Sequence, residues 1–183
     1  MSIDVHANRL ARKWTRSEQF GRILWSVVWP LFRLSPRTMW GWRVALLRLF
    51  GADIEKDVHI HPSVAIEVPW NLTIGQYVAI GHRAILYNLG RVEIGSETTI
   101  SQGAHLCGGT HDYKKLGFPL VKSPILIGKG AWICADAFIG PNVQIGDRSI
   151  IGARAVVTRN VPPDSIVAGN PARLIRKRGE IAS

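Results

Sequence analysis

From Ile54 onward an aliphatic side chain recurs every six residues, and this period restricts the fold more than any other feature of the chain. The series runs Ile54, Ile60, Ile66, then Ile74, Ile80, Leu86, then Ile94, Ile100, Leu106, and finally Ile127, Ile133, Ile139, Ile145, Ile151 and Val157. Of the fifteen positions twelve are Ile, and seven are followed directly by Gly. Four residues after each aliphatic a small residue recurs: Val58, Val64, Val78, Ala84, Thr98, Ala104, Thr110, Ala131, Ala137, Val143, Ser149, Ala155 and Val161. A period of six fits neither an amphipathic helix nor a long alternating strand. It fits short strands joined by tight corners, with the aliphatic inside, glycine taking a positive φ at the corner, and the small residue packed behind it. Three hexapeptides close one triangular coil. Five coils stacked at about 4.8 Å make an all-β solenoid roughly 24 Å tall. The spacing leaves the hand open, and parallel crossovers in general are right-handed.

The rhythm breaks in three places. Trp70 and Gly90 replace the small residue where the spacing stretches to eight, marking two-residue bulges between coils. After Leu106–His111, read as a normal hexapeptide, residues 112–126 are extra, and they form an extruded loop. Loops on solenoids sit on the functional face. The apolar Phe118, Pro119 and Leu120 suit packing on a neighbouring subunit.

The net charge of +10 lies at the ends. Residues 1–50 carry +7, residues 51–168 are neutral and residues 169–183 carry +3. We read these as a basic, Trp-rich helical N-terminal segment (1–50), a β-solenoid domain (51–168) and a basic tail (169–183). Such ends suit anions: a phosphate-bearing cofactor at one, acidic lipid or carrier at the other. The neutral middle and the lack of a nucleic-acid motif argue against nucleic acid. Cys107 and Cys134 make no CxxC pair, which argues against a thiolate zinc site and suits a reducing compartment. With no secretory signal and no apolar run approaching twenty residues, a cytoplasmic location is expected.

Three stretches carry a family resemblance: Gly109-Thr110-His111-Asp112, Ile127-Gly128-Lys129-Gly130-Ala131-Trp132-Ile133, and Val156 to Pro163 followed by Ala168-Gly169-Asn170-Pro171-Ala172-Arg173-Leu174-Ile175-Arg176. Over about residues 17–178 the chain resembles the hexapeptide-repeat acyltransferases of the galactoside, maltose and nodulation-factor O-acetyltransferase group. It is most similar to the acetyltransferases of colanic-acid and exopolysaccharide biosynthesis. The resemblance implies a left-handed parallel β-helix, a homotrimer, and an O-acetyltransferase that moves acetyl from acetyl-CoA to a sugar hydroxyl. It places a general base at His111, and histidine suits that task because its pKa lies near neutrality. Asp112 could orient the ring or meet the acceptor, or equally be a loop carboxylate, and Asn88 falls roughly where relatives hold the acceptor but reads equally well as a turn asparagine. Trp132, Ala135, Ala153, Thr158 and Arg159 would line the CoA groove, with Arg173 and Arg176 near its phosphates, since guanidinium forks suit phosphate. No metal is expected: His59, His61, His82 and His105 read as surface or core residues. Serine or amino-sugar acyltransferases of the same fold are the alternative, and a non-catalytic scaffold is the rival outside enzymes.

In the N-terminal segment Phe20, Ile23, Leu24, Val27, Val28 and Leu31 share one helical face, and Ser35-Pro36 reads as the start of a second helix through Phe50. Five of seven tryptophans lie in residues 14–42. Two readings are compatible: a helical cap on the open end of the prism, and a hairpin leaning on a membrane.

Overall fold

The computed structural model describes residues 5–179, so the outermost residues of both basic ends lie outside the described chain. From Asp53 on it is a triangular solenoid with three parallel sheets. Face A stacks Asp53–Ile54, Leu72–Ile74, Val92–Ile94, Ile125–Ile127 and Gln144–Ile145. Face B stacks six parallel strands from His59–Ile60 to Ser165–Ala168, and face C five from Ala65–Ile66 to Val156–Val157. There are thus five full coils and part of a sixth, in which Val161 bridges Ile145 and Ser165–Ala168 pairs with Ile150–Ile151. The register keeps equivalent residues in line, as in Ile54↔Ile74 and Ile74↔Ile94.

All fifteen periodic aliphatics are at most 4% exposed, and they form one continuous core. The buried hydroxyls among the small residues bond to the neighbouring coil: Thr98 donates to Gly128 O at 2.8 Å and Ser149 to Pro162 O at 2.8 Å. The corner glycines serve a different purpose from the one expected. Positive φ falls three residues after the aliphatic, on Asp57, Tyr77, Arg83, Glu97, Asp136 and their equivalents. The glycine directly after the aliphatic is required by close stacking, since a Cβ on Gly75 would meet Ser96 N at 2.6 Å.

Three helices precede the solenoid: α1 (Val5–Leu10), α2 (Arg16–Arg33) and α3 (Trp40–Leu49). Thr15 and Glu18 close a capping box at the start of α2. Ser35-Pro36 does not open α3; Ser35 donates to Phe32 O at 2.7 Å and so finishes α2, and α3 starts at Trp40 without a side-chain cap. The helices cap the prism. The first strand of each face has no coil above it, so its carbonyls lack amide partners, and three side chains supply the donors. Trp25 Nε1 donates to Ile66 O on face C at 2.8 Å, and Arg43 Nε to Ile60 O on face B at 2.7 Å. Arg48 donates twice to Ile54 O on face A, at 2.9 and 2.6 Å. Arg43 is wholly buried, and its other donors reach Ser35 Oγ, Pro36 O and Arg37 O at 2.7–2.8 Å. The packing face of α2 is Trp25 and Phe32, not the stripe expected from the sequence: Phe20, Ile23, Leu24, Val27 and Leu31 point outward.

The far end is also closed. Arg173–Lys177 folds back antiparallel on Ser165–Ala168, so residues 173–177 belong to the solenoid rather than to a free tail.

Candidate active site

The chain leaves the prism earlier than the period suggested. Gly109–His111 pairs antiparallel with Leu120–Lys122, forming an arm that springs from the corner between faces C and A. Leu106–His111 is therefore not a complete hexapeptide. Thr110, expected inside, is exposed, because the arm's two strands satisfy each other's backbone and carry it away from the core. The prism resumes at Ser123, whose amide donates to Gly108 O at 2.8 Å.

His111 stands exposed on this arm, and its Nδ1 lies 2.6 Å from Phe118 O. A carbonyl oxygen can only accept, so Nδ1 carries the proton and Nε2 holds the free lone pair. The same carbonyl accepts from Asn8 Nδ2 at 2.8 Å. The orienting group is thus a backbone oxygen braced from the N-terminal segment, and not Asp112. The Asp112 carboxylate is occupied in the arm's own turn: it accepts from Lys114 N at 3.1 Å and lies 3.5 Å from Lys115 Nζ. No sequence signal marks Phe118, since its part is played by backbone, and Asn8 lies 110 residues away in the chain.

Phe118, Pro119 and Leu120 are half-buried within this chain, whereas Tyr113, Leu116 and Val121 stay exposed. Pro119 and Leu120 share a small hollow with Asn8, Ala11 and Lys13. Lys122 Nζ sits 3.5 Å from the Trp14 ring centroid and 3.5 Å from Glu18, tying the arm's base to the start of α2.

Asn88 takes a structural place. It is fully buried; its Oδ1 accepts from the amides of Glu67 and Val68, both at 3.1 Å, and its Nδ2 donates to Val68 O at 2.6 Å. These bonds staple the first bulged corner to the second, and a fully buried amide cannot meet an acceptor.

The residues expected to hold CoA fall into two groups. Thr158 and Arg159 lie on the C–A corner below the arm and share a hollow of about 280 Å³ with Arg173. Arg176 is exposed on the same terminal strand as Arg173. Ala135 and Ala153 stack on the other edge of face C, joined by Arg154 N donating to Ala135 O at 2.9 Å, with Trp132 beside them on face B. Trp132 is 48% exposed, and its Nε1 donates to Ser101 Oγ at 2.9 Å. Between the two edges, face C presents Ala65, Ile85, His105, Phe138 and Val156 in register. His105 packs edge-on against Phe138; its Nε2 is buried without a partner, and burial pulls its pKa below the ordinary histidine value. A concavity of about 680 Å³ runs down face A and contains none of the expected site residues. Among the described residues no cluster of three or more His, Cys, Asp or Glu could hold a metal ion.

Comparison with known proteins places this architecture. The profile of the bacterial transferase hexapeptide family (six repeats) matches residues 124–159. A colanic acid biosynthesis acetyltransferase, WcaF, of Escherichia coli (strain K12) is 43% identical over 159 residues, 87% of each chain. The chain belongs to the hexapeptide-repeat acyltransferase family, and its solenoid is the left-handed β-helix of that family. Within it, this chain is similar both to WcaF and to two solved acetyltransferases. Galactoside acetyltransferase in complex with coenzyme A superposes with a TM-score of 0.84 at 25% identity, over 96% of this chain and 89% of that one. A hexapeptide-repeat acetyltransferase, VCA0836, complexed with acetyl coenzyme A, from Vibrio cholerae O1 biovar eltor, gives 0.82 at 26%, over 92% and 93%.

Proposed function

We propose that the protein is an acetyl-CoA-dependent O-acetyltransferase acting on a sugar hydroxyl of a glycan precursor, with His111 as general base. The observation that carries this reading is the 2.6 Å contact from His111 Nδ1 to Phe118 O, which leaves Nε2 as the basic atom on an exposed arm. Nε2 takes the proton of the acceptor hydroxyl as its oxygen attacks the thioester carbonyl. The tetrahedral adduct collapses, the C–S bond breaks, and the imidazolium returns the proton to the leaving thiolate. The fixed ring needs no tautomer change between these steps.

The donor site is shared between chains. Thr158 and Arg159 border one edge of face C and Ala135 and Ala153 the other, so one groove lined by both groups takes its two walls from neighbouring prisms. Cyclic closure of such a heterologous contact gives a trimer with three equivalent sites. The apolar side chains of face C, including Ile85 at 38% exposure, suit that contact better than the self-packed loop does. The coenzyme A complexes of the structural relatives and the name of WcaF support the donor and the acceptor class.

The test is thiol release from acetyl-CoA against a panel of nucleotide sugars and lipid-linked glycans. His111→Ala should fold normally and lose about 10²–10⁴ in turnover. A folded His111→Ala protein with wild-type turnover on the true acceptor would refute the assignment.

A further inference from the structure

Helix α2 is apolar on two sides. One side, Trp25 and Phe32, is spent on the prism, being 4% and 0% exposed. The other presents Phe20, Ile23, Leu24, Val27 and Leu31 at 42–70% exposure, with Leu34 at 82% just past the helix. The spacing of i, i+3, i+4, i+7, i+11 and i+14 lines them along one stripe about 21 Å long. Surface apolar residues scattered singly need no explanation, but a contiguous ridge marks an interaction site.

The surroundings of the ridge indicate what covers it. Arg12 and Arg16 precede it, Arg33 lies in its last turn and Arg37 follows it; among the described residues none of these four is in an ion pair. The nearby carboxylates are engaged elsewhere: Glu18 caps α2 and meets Lys122, and Glu67 lies 4.0 Å from Arg22. A second copy seated here would bring two arginine clusters together. Phosphate headgroups would pair with those arginines while acyl chains covered the ridge. No described helix is long and apolar enough to cross a membrane. An amphipathic helix with flanking cations lies in the interface plane instead.

We infer that the outer face of α2 docks the protein on an anionic phospholipid surface. The exposed apolar ridge flanked by unpaired arginines carries this, independently of the reading of the His111 site.

The test is co-sedimentation of the full chain with vesicles of phosphatidylcholine alone or with about a third phosphatidylglycerol. Binding should be at least about tenfold stronger to the anionic vesicles and should weaken in half-molar salt, where charges on the surface are screened. Val27→Glu with Leu31→Glu changes exposed side chains, so the thermal midpoint should hold while anionic-vesicle binding falls by about tenfold or more. The inference is overturned if the wild type does not bind anionic vesicles, or if the double variant binds as well. It is equally overturned if the double variant changes the sedimentation coefficient without lipid, since the ridge would then join copies of the chain.

Discussion

Replacing Arg43 with Met tests whether the helical cap closes the solenoid or merely sits on it. The guanidinium is wholly buried, faces carbonyl and hydroxyl oxygens with no carboxylate, and donates four hydrogen bonds of 2.7–2.8 Å. Burial without a counter-charge pulls its pKa down. Methionine fills a similar volume but donates nothing. Pro36 and Arg37 are exposed residues, so their carbonyls can recover water, and Ser35 keeps its bond to Phe32 O. Ile60 O, under α3, has no replacement donor, and a buried acceptor so stranded costs about 1–3 kcal/mol. Losing the remaining charge-assisted bonds adds about 1.5–3 kcal/mol each before the relief of desolvating the cation is subtracted. The balance is a loss of about 3–5 kcal/mol, at the upper end of what single substitutions that strand buried polar groups produce. Total stabilities run to about 5–15 kcal/mol, so this is a severe change. Urea unfolding should be followed at one protein concentration, because assembly makes apparent stability concentration-dependent. With a slope near 2 kcal/mol per molar the midpoint should fall by about 1.5–2.5 M. Arg37→Met, an exposed neighbour, should move it by less than about 0.3 M. An Arg43→Met midpoint within about 0.5 M of wild type would show that the open edge needs no donor from α3.

Asn8→Ala removes the second donor on Phe118 O while leaving His111 in place, so kcat should drop by about threefold to tenfold with KM for CoA unchanged, a loss of about 1 kcal/mol in positioning; an unchanged kcat would dismiss the brace. Arg173→Ala with Arg176→Ala should raise the CoA dissociation constant by at least about tenfold in calorimetry, while His111→Ala leaves it near wild type; equal constants for double variant and wild type would remove the terminal strand from the donor site. Burial lowers the pKa of both His61 and His105, so the native rings stay neutral while the unfolded chain takes up protons below about 6.5. Stability should therefore fall as pH drops through that value, and His105→Leu should flatten the fall between pH 7 and 5.5 in thermal melts; a wild-type midpoint that does not change over that range would contradict the sign.

The prism was legible because its signal repeats: one inward aliphatic in six, with a small residue four further on, leaves little else that the chain could bury. The cap was legible in kind but not in orientation. Helix α2 carries two apolar faces, and hydrophobic pattern cannot tell the one that touches protein from the one that does not. Glycine showed where the corners are but not why, since close stacking and positive φ select the same residue and only the structure separates them. His111 came from motif, whereas the group that orients it is a carbonyl, invisible in any side-chain code. Asn88 was ambiguous for the opposite reason: a polar residue at a bulge can bind a ligand or hold the turn, and here its amide is spent on Glu67 and Val68.

The three donors that meet Ile54 O, Ile60 O and Ile66 O also bear on the order in which the chain folds. Their acceptors lie 6 residues on from Arg48, 17 from Arg43 and 41 from Trp25, so the cap and first coil form from contacts within the first 66 residues. Every later coil pairs with the one about twenty residues before it, except where the arm intervenes. Stacked repeats that contact only their neighbours propagate from wherever a nucleus is made. A nucleus made of the cap and first coil would let the later coils be added in the order in which the ribosome delivers them.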